Sequence, residues 1–294
     1  MNSPSRRHYL LAAALLALSS CVPLESREDT ITRSWPAAGI HRLNLSEVDG
    51  SLSVEAGSAD EVTMVAHVRT RGFKPKGDKD NKGYFETRLS GDTLTIGRRQ
   101  HGMHFRLPFV VGDDITVDYT LRVPPQIVLD LRTVNGRIAM HGVDGGTAAT
   151  TVNGAIDIDA PGANEIEART VNGHVRARFL QTFQGANLKT VNGSVEASMP
   201  VGASFACNLS QVNGDFEAAF PLSIHSHPGS RRVSGEVNGG RYELKIVTVN
   251  GDVHIDSVRL PLAPTAPAAP QPPTATPSVP AAPSAPPAPP NPVT

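Results

Sequence analysis

Aromatic side chains are scarce: nine Phe, four Tyr and one Trp make up 5% of 294 residues. A chain so poor in aromatics, yet rich in Val, Thr, Gly and Asn, points to many short strands and tight turns rather than a helical core. Net charge is nearly absent, with 27 Lys and Arg against 28 Asp and Glu. Without the first 20 residues, which carry Arg6 and Arg7, the balance is 25 against 28. That excludes the basic footprint of a nucleic-acid partner. Cysteine is limited to Cys21 and Cys207, so a modified Cys21 leaves no disulfide within the chain, and packing and hydrogen bonds must hold the fold. The apolar run over residues 9–20 has 12 residues, against about 20 needed for a membrane-spanning helix.

What the N-terminus does carry is an address. Arg6 and Arg7 precede the apolar run, which ends in Leu18-Ser19-Ser20-Cys21. This tetrapeptide resembles the lipobox of bacterial lipoproteins at every position. The resemblance implies lipidation of Cys21, cleavage after Ser20 and acylation of the new amine. Residues 1–20 then read as a lipoprotein signal peptide and residues 21–36 as an N-terminal tether. Several acyl chains, each adding about 0.8 kcal/mol per buried CH₂, anchor stably, so the membrane is the first expected partner. In lipoproteins an Asp after the Cys favours the inner membrane; Val22 favours the outer membrane where one exists. Ser5-Arg6-Arg7-His8-Tyr9-Leu10 also resembles a twin-arginine signal, with ordinary secretion the preferred reading.

The far end is equally distinctive. Residues 261–294 hold 14 prolines and no charge. Such a segment cannot bury a core, so residues 259–294 read as a Pro/Ala-rich disordered tail. Pro264, Pro267 and Pro270 are three apart, as are Pro277, Pro280, Pro283 and Pro286, a spacing that suits a proline-groove reader. A spacer without a partner is the simpler reading.

Between these ends the tetrapeptide TVNG recurs at Thr133, Thr151, Thr170, Thr190 and Thr248, with QVNG at Gln211 and EVNG at Glu236. From Gly136 the successive gaps to Gly154, Gly173, Gly193, Gly214 and Gly251 are 18, 19, 20, 21 and 37. The last gap is two periods, so a seventh copy is expected at Val233-Ser234-Gly235, with EVNG belonging to the strand that follows. Two residues after each Gly stand Ile138, Ile156, Val175, Val195, Phe216, Val237 and Val253. Five before stand Leu131, Ala149, Ala168, Leu188, Leu209 and Ile246. Polar residues alternate with them, the period-two signature of strands with one buried face. Cys207, seven before its Gly, falls on the inward side as a small buried hydrophobe.

Two all-β architectures fit. One is a single-stranded parallel β-helix or β-solenoid of ~20-residue coils. The other is an antiparallel meander of repeated hairpins, since Asn-Gly is a strong hairpin turn. Column identity favours the solenoid. Stacked coils place Asn above Asn and Val above Val, so Asn135, Asn153, Asn172, Asn192, Asn213 and Asn250 form an interior or corner amide ladder. Residues 131–258 are then the regular solenoid and residues 37–130 its irregular N-terminal coils. The segments beginning Val48-Asp49-Gly50 and Ser90-Gly91-Asp92 read as divergent copies.

The repeated (T)VNGx(V/I), with Arg122-Val123-Pro124-Pro125 leading into Leu129-Asp130-Leu131-Arg132, resembles the bacterial β-strand repeat family of candidate adhesins, related to GIN-domain adhesin heads. The likeness covers roughly residues 37–258. It implies a β-solenoid-like fold, an envelope location, no established chemistry and no functional residue to carry over.

Candidate chemistry is thin. Asp157 and Asp159 point outward on one strand, and Asp215 and Glu217 on another, so a glycosidase-like carboxyl pair is conceivable. They sit beside His174, Arg176 and Arg178, as in a solvated mixed-charge sheet. Asp78-Lys79-Asp80-Asn81-Lys82-Gly83 fails the calcium-loop pattern at Lys82 and at the twelfth position, Leu89. His225 with His227, and His101 with His104, lack a third metal ligand. The apolar stretch Met103–Val111 is expected to cap one end of the solenoid or to form a partner patch. The expectation is a lipid-anchored, non-catalytic envelope protein without cofactor or metal, a candidate adhesin or surface scaffold with a glycan or envelope protein as ligand. The alternative is a polysaccharide-active enzyme on the same scaffold.

Overall fold

The computed structural model describes residues 25–72, 84–98, 114–162, 164–227 and 230–258. Cys21, the loop 78–83, His101, His104, the stretch 103–111 and the Pro-rich tail lie outside the described residues. All regular structure among the described residues is β. In chain order the strands are β1 (Glu25–Pro36), β2 (Arg42–Ser46), β3 (Leu52–Ala56), β4 (Glu61–Gly72), β5 (Phe85–Ser90), β6 (Thr93–Arg98) and β7 (Asp114–Val123). The regular coils follow as β8 (Val128–Arg132), β9 (Ile138–His141), β10 (Thr147–Thr150), β11 (Ile156–Ala160), β12 (Ile166–Arg169), β13 (Val175–Phe179), β14 (Ala186–Lys189) and β15 (Val195–Pro200). The last are β16 (Phe205–Asn213), β17 (Phe216–Ala218), β18 (Ser223–His227), β19 (Ser230–Val237), β20 (Tyr242–Asn250) and β21 (Val253–Val258).

These strands form two sheets of ten and eleven strands. A coil runs along one strand of the eleven-stranded sheet, turns at a VNG corner, and returns along a strand of the ten-stranded sheet. Successive coils pair in parallel and in register: Leu131, Ala149, Ala168 and Leu188 align across β8, β10, β12 and β14. Opposite them Ile138, Ile156, Val175 and Val195 align across β9, β11, β13 and β15. All eight side chains are buried and fill the space between the sheets. This is the solenoid; the hairpin meander is excluded, because a meander pairs neighbours antiparallel.

The order of coils departs from the order of the chain. β14 pairs with β20, not β16, and β20 pairs in turn with β16. The coil β20/β21 is therefore inserted between β14/β15 and β16/β17. At the other end β6/β7 lies outside β2/β3, which pairs with β8/β9. The expected copy at Val233-Ser234-Gly235 is not a corner. Those residues lie on β19, antiparallel to both β16 and β18. An open parallel coil exposes its backbone edge. Antiparallel β4 with β1 covers β7, β5 covers β6, and β19 with β18 covers β16, which leaves the short β17 as the edge of the ten-stranded sheet.

Two other expectations change. Residues 25–36, read as tether, form β1 in the ten-stranded sheet. Ser90-Gly91-Asp92 is the turn of the β5–β6 hairpin, with Gly91 at φ 60°, rather than a corner copy. Val48-Asp49-Gly50 is a corner, since Asp49 bridges Asn135 as each Asn bridges the next.

At this first corner Glu47 takes the place of Thr. Its carboxylate is buried, accepts from the Tyr119 hydroxyl at 3.2 Å and the Val48 N–H at 2.8 Å, and lies 3.5 Å from Arg98. Burial outweighs these partners and raises its pKa above the ordinary 4.5. A carboxyl raised in the folded state favours folding below its unfolded pKa, and that contribution is lost as pH rises. Glu47→Gln, which keeps the shape and removes the charge, is therefore expected to melt above the parent at pH 7.5. The gap should close as pH falls towards 4.5. Thermal melts of both proteins across this range check it; a gap that widens on acidification contradicts the assignment.

Candidate functional site

The corner explains the tetrapeptide residue by residue. Thr comes first and is buried in every regular copy. Its hydroxyl donates to a glycine carbonyl one coil away: Thr133 to Gly50 at 3.1 Å, Thr151 to Gly136 at 3.1 Å, Thr170 to Gly154 at 2.9 Å and Thr190 to Gly173 at 3.0 Å. In the outermost copy Gln211 reaches Gly251 O with its amide at 2.8 Å. Gly comes last because the coils meet there. A Cβ on Gly173 would overlap the Gly154 carbonyl, with the carbonyl carbon at 2.6 Å.

The Asn amides run as one chain along the corner. Asn135 donates to Asp49 at 2.8 Å, Asn153 to Asn135 at 2.8 Å and Asn172 to Asn153 at 2.8 Å. Asn192 continues to Asn172 at 3.0 Å, Asn250 to Asn192 at 2.9 Å and Asn213 to Asn250 at 2.8 Å. The ladder is exposed rather than interior. Losing one amide therefore leaves its neighbours to water, and the buried-polar penalty expected of an interior ladder does not arise.

Sequence reasoning passed over the second position. Val48, Val134, Val152, Val171, Val191, Val249 and Val212 are each 37–45% exposed. They line up beside the ladder, because their Asn neighbours bridge coil to coil. At a rise of about 4.8 Å per coil, seven valines make a ridge roughly 29 Å long. The signal was present in the sequence: Val never varies there, while other outward positions do.

The carboxylates singled out as candidate acids lie on the outer face of the ten-stranded sheet, and the structure gives basic partners to Asp157, Asp159 and Glu217. Asp157 is largely buried beneath Arg137 at 2.8 Å, His174 at 3.4 Å and Arg176 at 3.5 Å. Asp159 pairs with Arg178, and with His141 at 3.0 Å. Arg176 also bonds Glu196 at 2.6 Å, crossing to the next coil. Burial pushes the Asp159 carboxyl up, but Arg178 and His141 together hold it below its ordinary value. Glu196 is held low mainly by Arg176. A general acid needs the opposite shift. Glu217 stands apart, its side chain 82% exposed and 3.6 Å from His254; Asp215 lies beside it on the outermost coil. The four acids do not converge on one cleft. Among the described residues no three His, Cys, Asp or Glu side chains come together to hold a metal. Cys207 is buried on the inward side, which pushes its thiol up to about 12 and leaves it unreactive.

Residues 129–256 match the family model Toastrack DUF4097. No curated protein matches the sequence. Among solved structures, a candidate cell adhesion protein from Clostridium sporogenes aligns with TM-score 0.43 and 8% identity, over 79% of this chain and 100% of its own. A candidate adhesin from Bacteroides fragilis aligns with TM-score 0.32 and 9% identity, over 78% and 97%. A candidate lipid-binding protein from Parabacteroides distasonis aligns with TM-score 0.27 and 12% identity, over 79% and 97%.

Proposed function

We propose, from the match of residues 129–256 to the Toastrack DUF4097 family model, that the chain belongs to that family and is a non-catalytic envelope protein, lipid-anchored at Cys21, that presents its solenoid for adhesion or scaffolding. The observation that carries this reading is the ridge of seven exposed valines beside the amide ladder. Solvent-facing positions are free to drift, and this one holds a single apolar residue in seven coils. Each ladder amide uses one N–H along the column and keeps a second. An apolar line flanked by regularly spaced donors suits an extended, repeating ligand, such as a glycan or an envelope protein strand. The acids of the neighbouring face are tied to arginines of adjacent coils, which supports binding over turnover. β1 begins four residues after Cys21, so a lipid there would hold the domain within about 14 Å of the bilayer, in the outer membrane where one exists.

The test is a glycan and envelope-component screen with the chain lacking residues 1–21, repeated with Val152→Ser and Val171→Ser combined. Ligand lost by the double variant, at a nearly unchanged melting temperature, supports the ridge; undiminished binding removes it. Polysaccharide cleavage that vanishes with Asp157→Asn or Glu217→Gln would establish the enzyme instead. Acyl labelling in cells is expected to disappear with Cys21→Ala, and labelling that survives refutes the anchor.

A further inference from the structure

The inserted coil creates a second feature. Three turns that are far apart in sequence come together beside it: residues 181–184 before β14, 238–241 before β20, and 202–204 before β16. Between them lies a cleft of about 680 Å³, within the usual size range for small-ligand sites. Its walls are fixed. The Asn238 amide donates to Ala203 O at 2.9 Å, the Ser204 hydroxyl donates to Asn238 O at 2.7 Å, and the Arg241 N–H donates to the same hydroxyl at 3.0 Å. Asn238 holds φ 50° to make this turn, a conformation that non-glycine residues seldom adopt.

The lining has a definite chemistry. No carboxylate lines the cleft. Arg241 is exposed and pairs with no acid among the described residues, whereas Arg137, Arg176 and Arg178 on the sheet face are all paired. Gln181 and Gln184 are exposed, and their side-chain amides engage no described residue. Tyr242 is half-buried, set edge-on to the buried Phe183 at 6.3 Å and 89°. Two uncommitted amides offer paired donors and acceptors to vicinal hydroxyls. A tyrosine ring offers a flat apolar surface to the C–H face of a sugar. A free guanidinium is shaped to take a carboxylate bidentately.

We propose that this cleft binds an acidic oligosaccharide, with Arg241 on a uronate carboxylate, Gln181 and Gln184 on hydroxyls and Tyr242 under a ring. The site is separate from the ridge, on the opposite side of the coils, and does not depend on the ridge having a ligand. The test is titration calorimetry with the full chain in detergent, using an oligogalacturonate, a neutral cello-oligosaccharide of equal length and inorganic phosphate. Saturable binding of the oligogalacturonate is expected, with the neutral oligomer weaker by about tenfold or more, as loss of a charge-assisted pair implies. Phosphate should compete poorly. Arg241→Gln should bring the two oligomers level, Gln184→Ala should weaken both, and Arg176→Ala on the sheet face should change neither. Arg241 and Gln184 are exposed, so folding is not at stake in the variants that carry the test, whereas Arg176 is half-buried over Asp157 and its variant is first matched to the parent by circular dichroism. Absence of saturable oligogalacturonate binding, an unchanged preference in Arg241→Gln, or phosphate competing as well as the sugar would each overturn the proposal. None of these outcomes bears on the valine ridge, which Val152→Ser with Val171→Ser tests separately.

Discussion

Gly173→Ala is expected to destabilise the domain by on the order of 4 kcal/mol, in the range reserved for steric conflict in a core. For a domain of this size that is a fall of roughly 8–16 °C in melting temperature. The added methyl has nowhere to go. It would meet the Gly154 carbonyl, whose oxygen also accepts from the Thr170 hydroxyl and whose carbon would stand 2.6 Å away. Relief requires parting two coils whose side chains are packed on both sheets. Gly202→Ala is the control, because its added Cβ has nothing within 4 Å. Its effect should stay within about 0.5 kcal/mol. Equal melting temperatures for the two variants would mean that the corners are not stacked as described.

A chain ending at Gly240 is expected to lose residues 205–237 as folded structure, while a chain ending at Leu260 melts like the parent. In a solenoid built in chain order, removing the final coil would cost one interface between neighbours. Here β20 and β21 sit between β14/β15 on one side and β16/β17 on the other, so two interfaces go at once. Phe205, buried on β16, keeps its partner Phe183 at 6.0 Å only while that end is assembled. Hydrogen exchange reads the result. Slow amides over residues 205–237 should become fast in the shorter chain and stay slow in the longer one. Retained protection in the chain ending at Gly240 would show that β16 can pair with β14 directly.

Much of this fold was legible in the sequence, for physical reasons that particular residues display. Leu131, Ala149, Ala168 and Leu188 announced an inward column because a strand has period two, and all four are buried. Identical tetrapeptides announced stacking because coils meet most closely at the glycines. The same identity concealed the coil order. Asn192 can accept its hydrogen bond from Asn213 or from Asn250 equally well, so the columns hold no information about which follows. A faint signal did exist. Terminal coils tend to be atypical, and the corners without Thr, at Glu47 and Gln211, lie towards the two ends, while the fully regular Thr248 copy lies inside. The 37-residue gap before Gly251 marks the hairpin β18–β19, which covers the outer coil before the chain returns.

The candidate sites were less legible. The acids Asp157 and Asp159 were visible as outward residues, but their pairing with Arg137, Arg176 and Arg178 depends on which coils adjoin. The valine ridge was hidden because an apolar residue in a repeat reads as core. Arg241, Tyr242 and Gln184 share a cleft only because the last coil is inserted beside β14, and that insertion is the feature the columns cannot encode.

The inserted coil is the central claim, and disulfide trapping along the exposed ladder tests it most directly. In the chain from Val22 onward the remaining native thiol, Cys207, is buried and pushed up to about 12, so it will not interfere. Adjacent rungs lie about 4.8 Å apart and alternate rungs about 9.6 Å, and a disulfide needs Cα atoms within about 7 Å. With Asn192→Cys and Asn250→Cys combined, mild oxidation is predicted to give a rapid intramolecular disulfide. With Asn192→Cys and Asn213→Cys combined it should give almost none. The reverse pattern, with Cys at 192 and 213 joining readily while 192 and 250 stay reduced, would contradict the account and restore a solenoid stacked in chain order.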